Sequence, residues 1–365
     1  MPGFPKLLAT FVLLLAGQAV AQESPGSQYR GLTALDIPYA NGPITVAHVP
    51  QIWLGLHGSE PRRFGMDTGS TGIVVSAEHY RPGPGDSDDG PGQLTYNSSG
   101  RVLHGQRHTT DVVILRDRET PLATARVQVL RVTHITCLER ARHCRPEEEP
   151  RGVAFMGVGF ARRSAQGTPD EVARNPFVNL VSLASGAPVS SVRPGYRLTR
   201  SGAQLGLSED STRGFAFAKL APAAGATSAA PQWQAATLTV AVDGAAGDGT
   251  LLMDTGIDYM FLSPPEGSGL VHGRAAPRGT RLEIWLPDVR QARARYAFTV
   301  GERRNPLEPE RVEVVRDRGV FVNTGRLFLE GFDYLYDAAG GWVGYRWNDR
   351  VNGEFGGVTH AASPR

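Results

Sequence analysis

The chain has 365 residues, 41% of them hydrophobic and 20% charged, enough apolar material for one large or two medium domains with buried cores. Its formal net charge of +2 excludes the strong field expected of a protein that binds nucleic acid or an acidic membrane surface. With 44 glycines and 26 prolines, the composition favours a turn-rich, mostly β architecture over a helical bundle. Arginine supplies nearly all the positive charge, Lys6 and Lys219 being the only lysines; that bias is expected of a GC-rich bacterial genome.

Residues 1–21 read as a secretory signal. Lys6 gives the basic start, Leu7–Ala16 a short apolar core, and Ala19-Val20-Ala21 an A-x-A cleavage site. The apolar core is too short to span a bilayer. The mature chain is therefore expected in the periplasm or outside the cell, free of the membrane. Strands are predicted in "PITVAHVPQIWLGLHG", "RHTTDVVIL", "ARVQVLRVTHI", "AATLTVAVDG", "RLEIWLP", "YAFTV" and "RVEVV". "RPGPGDSDDGPG" (81–92) reads as a flexible loop; its aspartates lack the spacing of a calcium site. Cys137 and Cys144, in "CLERARHC", are expected to form a local disulfide in an oxidising compartment. The best predicted helix is "PDEVARNPFVNLVSLA" (169–184), opened by a proline and acidic residues. "APAAGATSAAPQ" (221–232) is a low-complexity insertion, and a short helical turn is expected after Arg326.

One internal repeat organises the rest. "FGMDTGSTGIVV" (64–75) and "LLMDTGIDYMFL" (251–262) each place Asp-Thr-Gly at the end of an apolar strand. Each is followed later by a glycine-centred element, "FMGVGF" (155–160) or "FVNTGRLFL" (321–329). A lone Asp-Thr-Gly is a weak signal, but two with apolar flanks at lobe-sized spacing are specific. Two such turns facing each other would set Asp67 and Asp254 side by side. Like charges that close cannot both ionise, so the pair would share a proton. The ionised member could then take a proton from water while the other supports a developing oxyanion.

The mature chain resembles the pepsin-like aspartic peptidases. Asp67-Thr68-Gly69-Ser70-Thr71 is similar to their first active-site turn, Phe155-Met156-Gly157 to the element that supports it, and "LFLEGFDYLYDAAGGWVGY" (327–345) to their closing segment. Tyr96 looks like the tyrosine of the flap that closes over substrate, although Val74 stands roughly where that family's flap contact is a tryptophan. The second turn departs from the family. Ile257 replaces a hydroxyl residue, Asp258 follows it, and Asn323-Thr324-Gly325-Arg326 replaces an apolar pair and glycine. Asp-Thr-Gly-x-Asp with a later Gly-Arg resembles the retroviral proteases instead, which implies an ion pair between Asp258 and Arg326.

The resemblance implies an all-β, bilobal fold with a cleft between the lobes. The expected lobes are 22–190 and 191–350, with 351–365 as a tail. The expected activity is hydrolysis of peptide bonds in an extended polypeptide, by a monomer, with no metal or other cofactor. Asp67 and Asp254 are the catalytic residues; Tyr96, Gly69 and Gly256 would bind substrate. Thr68, Ser70, Thr255, Asp258 and Arg326 would support the site. A catalytically silent pepsin-like module that binds a protein partner is the alternative. The sequence has no H-E-x-x-H, G-x-S-x-G or nucleotide-binding loop.

Overall fold

Along Gln51–Leu56, buried and part-buried side chains alternate, as they must in a strand with one face on a core. The same alternation runs through Arg281–Leu286 and Ala294–Thr299. The computed structural model describes residues 25–139, 141, 144–161, 172–227, 231–316, 319–348, 350–351 and 353–360. The expected signal segment lies outside them. The chain is all-β, with its described strands in sheets of nine, eight and six.

The repeat seen in the sequence is a repeat of topology. In the nine-stranded sheet, Ala154–Val158 threads between Arg62–Asp67, to which it is parallel, and Thr71–Ser76, to which it is antiparallel. In the eight-stranded sheet, Val320–Asn323 threads in the same two senses between Ala245–Leu252 and Met260–Ser263. Outside these lie the antiparallel neighbours Gln51–Leu56 and Ala236–Val242. On the other side, Pro121–Cys137 and Val312–Val314 run parallel to the strand after each turn. Each Asp-Thr-Gly turn thus leaves a strand bonded on one side to the glycine-centred element that the sequence placed further along.

The third sheet joins distant parts of the chain in the order Leu35–Pro38, Gly202–Leu205, Gly195–Leu198, Phe332–Asp337, Trp342–Trp347 and Ala216–Lys219. The expected boundary at residue 190 is therefore not a boundary between sheets, because Leu35–Pro38 pairs with Gly202–Leu205. This sheet also anchors the first turn's support. Tyr196 donates its hydroxyl to the Val158 carbonyl at 2.7 Å, and Phe160 stacks on Tyr336 with centroids 4.0 Å apart.

Three local expectations are corrected. In the described part of 169–184 there is no α-helix: Val172–Arg174 is one 3-10 turn and Leu180–Leu183 is a strand. Asn175-Pro176 breaks the helical pattern, since proline lacks an N–H and disfavours helix at the residue before it. The loop 81–92 ends early, because Ser87–Tyr96 is a strand paired with Arg101–Leu115. Its aspartates are occupied: Asp86 accepts from Tyr80 and the Gly83 amide, and Asp89 from Ser87, Thr109 and Gln128. The tail contributes Gly356–Val358 to the eight-stranded sheet against Ala294–Tyr296. The expected helical turn after Arg326 is present as Phe328–Gly331. Cys137 and Cys144 are joined, with Cα atoms 5.7 Å apart. No helix among the described residues is long and apolar enough to cross a membrane.

Candidate active site

Each Asp-Thr-Gly turn is braced by the other. The Thr68 hydroxyl donates to the Met253 carbonyl at 2.6 Å and accepts the Thr255 amide at 2.9 Å. The Thr255 hydroxyl donates to the Met66 carbonyl at 2.7 Å and accepts the Thr68 amide at 3.1 Å. All four backbone groups are buried, so this exchange satisfies what water cannot reach. A hydroxyl side chain is required because one atom must both donate and accept.

The exchange sets the two carboxyls against each other. Asp67 and Asp254 are 6% and 7% exposed. A Cβ at Gly69 would lie under 3.0 Å from the Asp254 carboxyl, and one at Gly256 would lie 2.6 Å from Asp67 Oδ1. Only glycine permits that approach. The Gly69 amide donates to Asp67 Oδ1 at 2.7 Å, and the Gly256 amide to Asp254 Oδ1 at 2.8 Å. Gly69 and Gly256 therefore orient the carboxylates. Burial pushes the Asp67 carboxyl well above the ordinary carboxylate range, and the neighbouring Asp254 adds to the effect; the donors Ser70 and Gly69 oppose it.

The outer oxygens are held differently. Ser70 Oγ donates to Asp67 Oδ2 at 2.6 Å. The matching position after Asp254 is Ile257, which has no donor. Its place is taken by Asn323, whose Nδ2 donates to Asp254 Oδ2 at 2.6 Å. Sequence reasoning noted Asn323 as a departure and missed this role. The signal was a buried amide in an otherwise apolar strand, paired with a missing hydroxyl three residues after the aspartate.

Tyr96 ends the strand of the Ser87–Leu115 hairpin. It packs in a small cluster with Val74, Leu103 and Phe155, its ring 6.0 Å from that of Phe155. Its buried hydroxyl has no hydrogen-bond partner. Burial and the Asp67 charge hold that hydroxyl in its neutral form, with Ser70 beside it. The structure thus brings Tyr96 to the Asp67 side of the site, with Val74 against it.

The two-point ion pair expected between Asp258 and Arg326 is not formed. Arg326 is 5% exposed, and its Nε and Nη1 have no hydrogen-bond partner. Its backbone is fixed instead, the amide donating to the Ile257 carbonyl at 2.9 Å. Burial depresses the guanidinium, opposed by the charges of Asp258, Asp254 and Asp67 in that order. Asp258 is only part-buried and keeps its own contact with water, so it acts on Arg326 across space. Tyr259, next along, is half-buried and stacks on Arg311 at 4.0 Å. A cavity of about 310 Å³ lined by His57, Asp86, Asp111 and Arg126 includes no residue of either turn.

No protein-family model and no curated protein matches the chain.

Proposed function

We propose that this chain is an aspartic endopeptidase of pepsin-like build that cleaves extended polypeptides. The observation that carries the reading is the reciprocal threonine exchange, which holds two buried carboxyls face to face from two equivalent turns. A pair so placed retains one proton over a wide pH range. The ionised member can deprotonate a water held between the two, and that water attacks the amide carbonyl. The protonated member supplies a hydrogen bond to the oxygen that becomes negative, and later a proton route to the leaving amine. The Tyr96 hairpin would cover a bound strand and exclude bulk water. The disulfide accords with an exported protein.

The test is digestion of a denatured protein by the purified mature chain. Cleavage should be blocked by a transition-state analogue carrying a secondary hydroxyl at the scissile position. Asp67→Asn and Asp254→Asn should each reduce it at least ~10³-fold, since the two carboxyls act as a unit. Undiminished cleavage by either variant would reject the reading.

A further inference from the structure

We propose that Asn323 is a positioning residue that fixes Asp254 as the ionised member of the pair and leaves the proton to Asp67. The proposal rests on the peptidase reading for its consequence, and on the hydrogen-bond geometry for its substance.

The argument turns on which partners can reverse. An amide side chain is ambiguous in orientation until its neighbours fix it. Here Asn323 Oδ1 accepts the Gly325 backbone amide at 3.0 Å, a group that can only donate. The other end, Nδ2, must therefore face Asp254 Oδ2. An NH₂ donates and cannot accept. Asp254 Oδ1 meets the Gly256 amide, also a pure donor. Each oxygen of Asp254 thus accepts from a group that can only donate, which favours the ionised form.

Asp67 differs at one atom. Its Oδ1 meets the Gly69 amide, but its Oδ2 meets the Ser70 hydroxyl, which can rotate and accept. Apart from the facing carboxyl, the Ser70 hydroxyl on Asp67 Oδ2 is the one partner of the pair in these four bonds that can turn round to receive a proton's hydrogen bond. The charges about the pair act on the same balance. Arg326, after the Val320–Asn323 strand, feels Asp254 more strongly than Asp67, with Asp258 ahead of both. Tyr96 from the hairpin faces Asp67 as a neutral hydroxyl. Tyr259 feels Asp254 and Asp258, and is itself kept neutral mainly by burial. Arg326 thus favours negative charge on the Asp254 side, and the part-exposed Asp258 opposes it.

The second lobe reached this by exchange of supports. Ile257 stands where Ser70 stands in the first turn, so the donor to Oδ2 arrives from the neighbouring strand. Asn323 occupies the site that corresponds to Phe155 by strand register. A hydroxyl restored at 257 should do part of its work.

The experiment follows the ionisation of the pair in aspartate ¹³C-labelled protein, assigned with Asp67→Asn and Asp254→Asn, alongside the acid limb of kcat/KM against pH. Asn323→Ala should move the first ionisation upward by about one pH unit, the scale of one lost charge-assisted hydrogen bond. The acid limb should move with it, through kcat and not KM. Asn323→Ala with Ile257→Ser should return at least half of the shift. If Asn323→Ala does not fold, Asn323→Leu, of matching volume, takes its place, alone and with Ile257→Ser. A titration equal to wild type in the folded single variant overturns the proposal, as does a folded double variant with no rescue. If the wild type cleaves nothing, the peptidase reading falls, and the titration still decides the role of Asn323.

Discussion

At the scale of single residues, the carboxyl of Asp67 costs the fold stability at neutral pH. Its folded-state proton is held well above the ordinary carboxylate range, by burial first and by Asp254 second. Between that range and the raised value, the native state binds more protons than the unfolded chain. Stability must therefore fall as pH rises through this window, and the contribution is complete only below it. Asp67→Asn removes the titration. Its unfolding free energy by urea should lose that downward slope and exceed wild type at the upper end, even as hydrolysis disappears. A variant with the wild-type slope would show that the strain lies elsewhere. Arg326 is the opposite charge with a similar cost. Burial outweighs the Coulombic support it receives, and two of its donors are unmet. Arg326→Met keeps the volume and removes the desolvated charge, so its melting temperature should equal or exceed wild type. Its catalytic rate should fall, because Asp254 loses the positive field that favours ionisation. A drop in melting temperature of many degrees would mean that the guanidinium holds the turn together after all.

At the scale of elements, the two turns depend on each other. Thr255→Val keeps the shape of the side chain and removes its hydroxyl. The Thr68 amide and the Met66 carbonyl would then be stranded in the interior, each at about 1–3 kcal/mol. A loss on the order of 2–5 kcal/mol in chemical denaturation is expected, with activity falling as the carboxyls separate. Near-wild-type stability would mean that water replaces the hydroxyl. The pairing of the turns was legible in the sequence because they are two copies of one tripeptide. So was the glycine-centred element beside each turn. Elements whose form depends on distant partners were less legible. The first part of the Ser87–Tyr96 strand, residues 87–92, reads as a loop because Asp88-Asp89-Gly90-Pro91-Gly92 has no strand propensity; pairing with Arg101–Leu115 imposes it, with a register shift at Asp88/Pro91. The segment 169–184 reads as a helix from its opening residues, although Asn175-Pro176 in its middle argued against one. Asn323 was visible as an anomaly, but its role could be found only once Ile257 and Asp254 were placed around it.

At the scale of the whole molecule, the six-stranded sheet decides what can stand alone. Gly195–Leu198 pairs with Phe332–Asp337 on one side and Gly202–Leu205 on the other, which in turn pairs with Leu35–Pro38. Residues 191–360 hold five strands of this sheet, and residues 25–190 hold only its edge strand, Leu35–Pro38. Expressed alone, the fragment 25–190 should exchange the amides of that strand freely, and mixing it with the fragment 191–360 should slow them and restore any activity. Slow exchange there in the isolated fragment would show that the pairing is an accessory. The threonine exchange gives this interdependence a biological edge. A nascent or half-threaded chain holds one aspartate at a time, with no second carboxyl to share its proton. On the peptidase reading such a chain carries its own safety catch: cleavage would wait until the last strands close and bring the second aspartate to the first.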